Sequence, residues 1–255
     1  MEPTAKLPIL AYPGAKGRMA KELIAFMPER GRYFIDLFAG LGNVAFSLMA
    51  THPERFERWW LNDTQTADFF EKTRTHGSLI RVPEDLRDMR RQYSYFLARK
   101  RADRKPTIAS VLLEPYLSPR GGYGPGGPAS RITVLAKTYR ERLRFRQRLM
   151  RDNSVKVTAL DWKILPLDQL TSDDFVFLDP PYYECDVRAY KSWPLEEHLR
   201  MVDMLKRARF KWMLTEYLQP FYVKAFGEPF HTKHVTCAVS AEGSRRIERV
   251  WKGNF

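Results

Sequence analysis

The chain has 255 residues, 44% of them hydrophobic and 29% charged, enough to bury a core as one large domain or one domain with an insertion. No run approaches the ~18 apolar residues of a membrane span, the N-terminus shows no signal-peptide stretch, and two cysteines, Cys185 and Cys237, give neither a disulfide framework nor zinc spacing. A net charge of +13 in a chain without a membrane-like helix points to nucleic acid before lipid, and the cysteine usage fits a reducing cytoplasm.

Residues 1–11 read as an irregular lead-in. Tyr12-Pro13-Gly14-Ala15-Lys16-Gly17 is a turn-rich loop that opens a helix over Arg18–Phe26, without the glycine, lysine and hydroxyl spacing of a P-loop. Lys16 is either an exposed turn lysine or a donor to an anionic group of a ligand. Tyr33 to Phe38 predicts a strand, followed by Ala39-Gly40-Leu41-Gly42-Asn43 and a helix through Ala50. Strand, glycine turn and helix form the nucleotide-binding half-motif, in which Gly40 and Gly42 let backbone approach a ligand. Trp59-Trp60-Leu61 predicts the next strand, ending at Asn62-Asp63; an acid there is placed to hold a ribose diol. The spacing Gly40-x-Gly42-x-x-Ala45 also fits a dinucleotide site. In that alternative Asp36 has no duty, whereas a sulfonium-bearing cofactor offers its carboxylate an amino group.

From Thr64 to Asn153 the composition changes, and helices are predicted over 65–76, 84–101, 107–117 and 132–151. Basic residues crowd two of them: Arg87, Arg90, Arg91, Arg99, Lys100, Arg101, Arg104 and Lys105, then Lys137, Arg140, Arg142, Arg144, Arg146, Arg148 and Arg151. Tyrosines are interleaved, and a glycine-rich loop around Arg120 and Tyr123 is too long for a simple connection. So single-signed an excess reads as a helical insertion that tracks phosphates rather than as an ordinary solvated face. Arg120, Tyr123, Arg131, Lys137, Arg140 and Arg144 are the candidate contacts to DNA.

The sheet resumes at Ser154–Thr158, and Asp161-Trp162 follows. An acid and an indole past a strand end suit an adenine ring, although Trp162 fits a core anchor equally well. Phe175 to Leu178 is a continuous apolar run, as expected of a buried parallel strand, and Asp179 leaves it at the edge where open α/β sheets bind ligands. Pro180 and Pro181 fix their own φ angles and donate no N–H, so the carbonyls of Asp179 and Pro180 are left free and rigid, with Tyr182 as a flat face beside them. A carboxylate and a carbonyl so placed can grip the exocyclic amine of a planar base and draw electron density onto its nitrogen. A helix is predicted from Ser192-Trp193-Pro194 to Arg207, a strand over Lys211–Thr215, a helix over 217–226 and β-rich runs over 229–239 and 244–252. The expected fold is a doubly wound α/β sheet with an antiparallel C-terminal edge. His231 and His234 read as edge-strand residues, and no metal site is expected.

These motifs, in order, resemble the DNA adenine-N6 methyltransferases of the Dam type, particularly phage-borne relatives. Tyr12-Pro13-Gly14-Ala15-Lys16 is similar to the family's Trp-x-Gly-Gly-Lys loop, with Tyr12 and Ala15 as departures. Asp36-Leu37-Phe38-Ala39-Gly40-Leu41-Gly42 looks like its cofactor loop, Asp63 like its ribose-binding acid and Asp161-Trp162 like its adenine clamp. Asp179-Pro180-Pro181-Tyr182 looks like its catalytic tetrapeptide, and Gly253-Asn254-Phe255 like its ending. The resemblance covers nearly the whole chain. It implies a Rossmann-like methyltransferase sheet, S-adenosylmethionine as cofactor on Tyr12, Lys16, Asp36, Phe38, Gly40, Gly42, Asp63, Asp161 and Trp162, and an adenine flipped from double-stranded DNA onto Asp179, Pro180, Pro181 and Tyr182. It further implies a catalytic domain of residues 1–63 and 154–255, a target-recognition insertion of 64–153 and a bacterial or phage-infected cell; the oligomeric state is left open, with a monomer favoured. N4-cytosine methylation, RNA methylation and a basic binding module on a decayed scaffold are the alternatives; intact Asp36, Asp63 and Asp179 oppose the last.

Overall fold

In the computed structural model, which describes residues 8–11, 14, 16–118, 123, 134–184, 192–236 and 245–255, short apolar runs whose side chains alternate between two faces build one sheet. Phe34 and Ile35, Trp59 and Trp60, and Phe175 and Val176 each send one ring or branch to either face, so the sheet is covered on both sides by separate cores. Its strands are β1 (Gly31–Asp36), β2 (Phe56–Asn62), β3 (Lys156–Thr158), β4 (Phe175–Leu178), β5 (Lys211–Glu216), β6 (His231–Thr236) and β7 (Arg245–Gly253), in the order β3-β2-β1-β4-β5-β7-β6. The first five run parallel; β7 lies antiparallel between β5 and β6. This is a doubly wound, Rossmann-like sheet with an antiparallel C-terminal edge. Strand order reverses between β1 and β4, and a crevice outside their carboxyl ends is where such sheets bind ligands. Asp36 pairs in register with Phe177, so Asp36 and Asp179 both emerge there.

The helices are α1 (Ala20–Phe26), α2 (Asn43–Thr51), α3 (Ala67–His76), α4 (Leu86–Arg101), α5 (Ile108–Leu117), α6 (Ala136–Asp152), α7 (Leu195–Arg207) and α8 (Pro220–Phe226). Asp85 caps α4, and Thr107 with Ser110 forms a capping box on α5. The inserted α4, α5 and α6 have no core of their own: Tyr93, Phe96, Leu112, Tyr116 and Tyr139 join the cluster that holds Phe34, Phe46 and Phe70. No described helix is long and apolar enough to cross a membrane.

Two boundaries differ from expectation in ways that matter. β1 ends at Asp36, so Leu37 and Phe38 already belong to the ligand loop. Helix α1 starts later than predicted, because Lys16–Arg18 forms a separate 3-10 turn that points Lys16 inward. Tyr12, Arg120, Arg131, Cys185 and Cys237 lie outside the described residues.

Candidate functional site

A cavity of about 360 Å³ opens at the carboxyl ends of β1, β2 and β4. Lys16, Asp36, Phe38, Gly40, Asp63, Asp161, Trp162, Asp179 and Pro181, all singled out from the sequence, line it. Gly42 stands just behind, with φ of 66° as the residue before α2; a Cβ there would meet the Phe46 ring at 3.1 Å and the Phe70 ring at 3.2 Å.

One half of the cavity is built from strand-end polar groups. Asp63 binds the glycine loop itself: Oδ2 accepts from Gly40 N (2.9 Å), and Oδ1 accepts from Gln65 N and Thr66 N (both 2.8 Å). A carboxylate offers about four acceptor sites, so one remains for a ligand. Asn62, which sequence reasoning passed over, is fully engaged. Its amide donates to Leu37 O and Leu160 O, and its oxygen accepts from Thr158 and Leu160, which ties the ends of β1, β2 and β3 together. Asp36 is buried, and its Oδ1 has no hydrogen-bond partner among the described residues. Burial, then the charges of Asp179 and Asp63, push its pKa well above the usual carboxylate range. Trp162 is buried, its indole N–H has no partner among the described residues, and it stacks on Trp193, whose ring also meets Phe38 edge-on at 5.0 Å. Trp193 is a wall residue that the sequence showed only as part of a helix start.

The other half surrounds Asp179. Its Oδ1 accepts from the Thr215 hydroxyl (2.7 Å), and the Lys16 ammonium lies 2.7 Å from Oδ1 and 2.9 Å from Oδ2. Burial depresses the Lys16 pKa, but the carboxylates of Asp179 and Glu248 outweigh it and hold it at about 12. Lys16 is therefore no exposed turn lysine. Tyr182 departs from expectation: its ring is buried rather than presented as an open face. The hydroxyl donates to Glu248 Oε2 (2.5 Å), the ring edge packs on Tyr217, and the Lys16 ammonium sits 4.7 Å from the ring centre. Glu216, at the end of β5, accepts from Tyr217 N and Tyr183 N, while burial raises its pKa to about 9, so it is a neutral acid at neutral pH. Among the described residues neither Asp179 O nor Pro180 O accepts a hydrogen bond.

The insertion sorts its basic residues by face. On α6, Lys137, Arg144, Arg148 and Arg151 are exposed along one side, and Arg140 is half-buried against Glu84 (2.9 Å). Arg146 is the opposite of a phosphate contact. It is fully buried and donates to Pro8 O (2.7 Å), Leu41 O and Asn43 Oδ1 (2.5 Å), with Phe46 under the guanidinium. Tyr123 likewise corrects the sequence reading: its ring packs on Tyr93 and Phe96 and its hydroxyl donates to Ser110 O (2.7 Å), so it belongs to the core that α4 and α5 share with the sheet.

No protein-family model matches the chain, and no curated protein does. Among solved structures it is similar to the rRNA methyltransferase aviRa from Streptomyces viridochromogenes, at 13% identity over 98% of this chain and 90% of that one, with a TM-score of 0.46; a second structure of that protein gives 14% and 0.45 over the same shares. A putative methylase from Haemophilus influenzae shares 10% identity over 95% of this chain and 90% of its own, with a TM-score of 0.34. Likeness this low transfers no activity, and the function is read from the residues.

Proposed function

We propose that the chain is a DNA methyltransferase that uses S-adenosylmethionine to methylate the N6 amine of an adenine flipped out of double-stranded DNA. The observation that carries this is the meeting, in one cavity, of Asp179 and its rigid Pro-Pro exit with the acids and indoles of a cofactor site. The residues fit that cofactor. Asp36 has an unpartnered carboxylate oxygen for an ammonium, Asp63 one open acceptor for a diol, and Trp162 with Trp193 a flat wall for a purine. When bound, the cofactor supplies an electrophilic methyl group on a sulfonium. The chain's part is to hold the base: Asp179 Oδ2 and the Pro180 carbonyl take the two amine hydrogens, favouring a tetrahedral nitrogen whose lone pair is available. The free amine of cytosine offers the same two hydrogens, and RNA the same base, so the test must report both base and polymer. Matched unmethylated duplex DNA and RNA are incubated with methyl-labelled cofactor and digested to nucleosides. Label in N6-methyl-deoxyadenosine is expected; label confined to N4-methylcytosine or to RNA overturns the reading.

Asp63→Ala is expected to weaken cofactor binding, since a charge-assisted pair contributes roughly 1.5–3 kcal/mol, or about one to two decades in affinity. Because the same carboxylate holds Gly40 N, Gln65 N and Thr66 N, the melting temperature should fall as well. Calorimetric affinity equal to wild type would move the diol elsewhere.

Duplex binding should weaken steeply with salt, and Arg144→Gln with Arg148→Gln should flatten the log–log slope by about 0.9 per true phosphate contact. Titrations at several salt concentrations read this directly. A slope unaltered in the double variant would make the exposed side of α6 a merely solvated surface.

A further inference from the structure

Lys16 stands where the amine of a bound base would have to be gripped, which makes its duty a question of chemistry rather than of packing. Its ammonium accounts for both Asp179 oxygens, lies 3.0 Å from Gly14 O and 3.9 Å from Glu248 Oε2, and covers the Tyr182 ring. Among the described residues the groups around Asp179 are otherwise acidic or neutral. Asp36 faces it from β1, Glu216 and Thr215 from β5, Glu248 from β7, and Tyr182 and Tyr217 from the loops, with Asp63 beyond Asp36. Carboxyls crowded into a dry site cannot all stay ionised, and the one that must is the acceptor of amine hydrogens. A protonated Asp179 would present an O–H donor to an amine that itself has hydrogens to give.

Resting on the reading of Asp179 as amine acceptor, we propose that Lys16 is its positioning residue: it is the countercharge of Asp179 in the base-free site and yields Oδ2 to the incoming amine by leaning onto Glu248. The geometry allows this cheaply. Among the described residues Oδ1 is filled by Thr215 and Lys16, whereas Oδ2 holds Lys16 alone. An approach of about 1 Å brings the ammonium from its present distance to hydrogen-bond range of Glu248. A lysine suits the task because its charge is compact and its three donors rotate freely. Leaning away also removes a cation that would otherwise oppose the carboxylate's pull on the amine.

The test reads Asp179 itself, without substrate. Carbon-13 carboxyl NMR titrations, assigned by the signal lost in Asp179→Asn, are run on wild type, Lys16→Met, Lys16→Gln and Lys16→Arg. In the two uncharged variants the Asp179 midpoint should rise by about one to three pH units, and in Lys16→Arg it should stay near wild type. A midpoint that stays put in a folded Lys16→Met or Lys16→Gln overturns the proposal. Should neither uncharged variant fold, Glu248→Gln reads the same coupling from the other side: with one carboxylate fewer sharing Lys16, the midpoint must fall, and an unchanged one overturns it. On duplex DNA the acid limb of kcat should move up with Asp179 in Lys16→Met and turnover should recover at higher pH, whereas a structural loss would lower kcat at every pH. An Asp179 that titrates as expected in a chain that methylates no nucleic acid sinks the functional reading instead, and the two failures are told apart.

Discussion

Arg146→Ala is expected to destabilise the protein by about 3–5 kcal/mol, the sum of a buried stem replaced by a cavity and carbonyls left without donors. For a chain of this size that lowers the melting temperature by roughly 6–20 °C. The guanidinium spans two parts of the molecule: Pro8 O in the lead-in, and Leu41 O with Asn43 Oδ1 in the glycine loop. Asn43 in turn pairs with both the N–H and the carbonyl of Leu10, so losing Arg146 frees the lead-in from the ligand loop. Burial pulls the Arg146 pKa down to about 9, which still leaves it cationic at neutral pH, with oxygen dipoles and the Phe46 face around its charge. An opposing effect has to be weighed. Removing a desolvated charge recovers hydration free energy, and filling the space with a hydrophobic residue can come out neutral. Arg146→Met should therefore be the milder variant, and the difference between the two measures packing against hydrogen bonding. Calorimetric unfolding of both decides the role, because a phosphate contact would leave stability unchanged and cut the salt dependence of DNA binding instead.

That residue also shows what a sequence can and cannot say. Tyr139, Leu143, Arg146 and Met150 are the buried stripe of α6, spaced four, three and four, and the spacing was visible in the chain. Counting charges put Arg146 in the basic cluster; the helical period assigns it to the core. Elsewhere local signals sufficed. A continuous apolar run ending in Asp-Pro-Pro, and a glycine loop between strand and helix, mark strand ends whatever surrounds them, and both stand at the cavity. The long-range partners were not legible. Lys16 meets Asp179 across 163 residues, and Tyr182 meets Glu248 only because β7 turns antiparallel onto β5. The acid ending β5, Glu216, did carry a signal, since a carboxylate at the carboxyl end of a parallel strand is placed for a site. Its neutrality comes from burial, which no spacing announces. Tyr123 sat in a glycine-rich loop and looked exposed, yet the pocket between Tyr93 and Phe96 claims it.

Asp179→Asn should collapse turnover while leaving fold and cofactor binding largely intact. The amide is nearly isosteric, and Asp36, Asp63 and Trp162, on other strand ends, are untouched, so cofactor affinity should change by less than about tenfold. What changes is direction as well as charge. Thr215 and Lys16 both donate to Oδ1, so the amide oxygen is held there and the NH₂ takes the place of Oδ2. Its hydrogens then face the amine that has hydrogens to give, and the acceptor becomes a competing donor. The same NH₂ lies against the Lys16 ammonium, which favours Lys16 moving to Glu248, at 3.9 Å its other carboxylate contact. Losing one preorganised electrostatic partner typically costs about 10²–10³ in rate, and losing a full charge in a water-excluded site costs at least that. On the proposed reading, duplex DNA is held by the exposed basic side of α6, away from Asp179, and its binding should persist. If Asp-Pro-Pro-Tyr were only a strand-ending turn, the variant would turn over normally with a small loss of stability. Single-turnover methyl transfer at saturating cofactor and DNA separates the two, and a rate within about threefold of wild type would falsify the assignment of Asp179 as the amine acceptor.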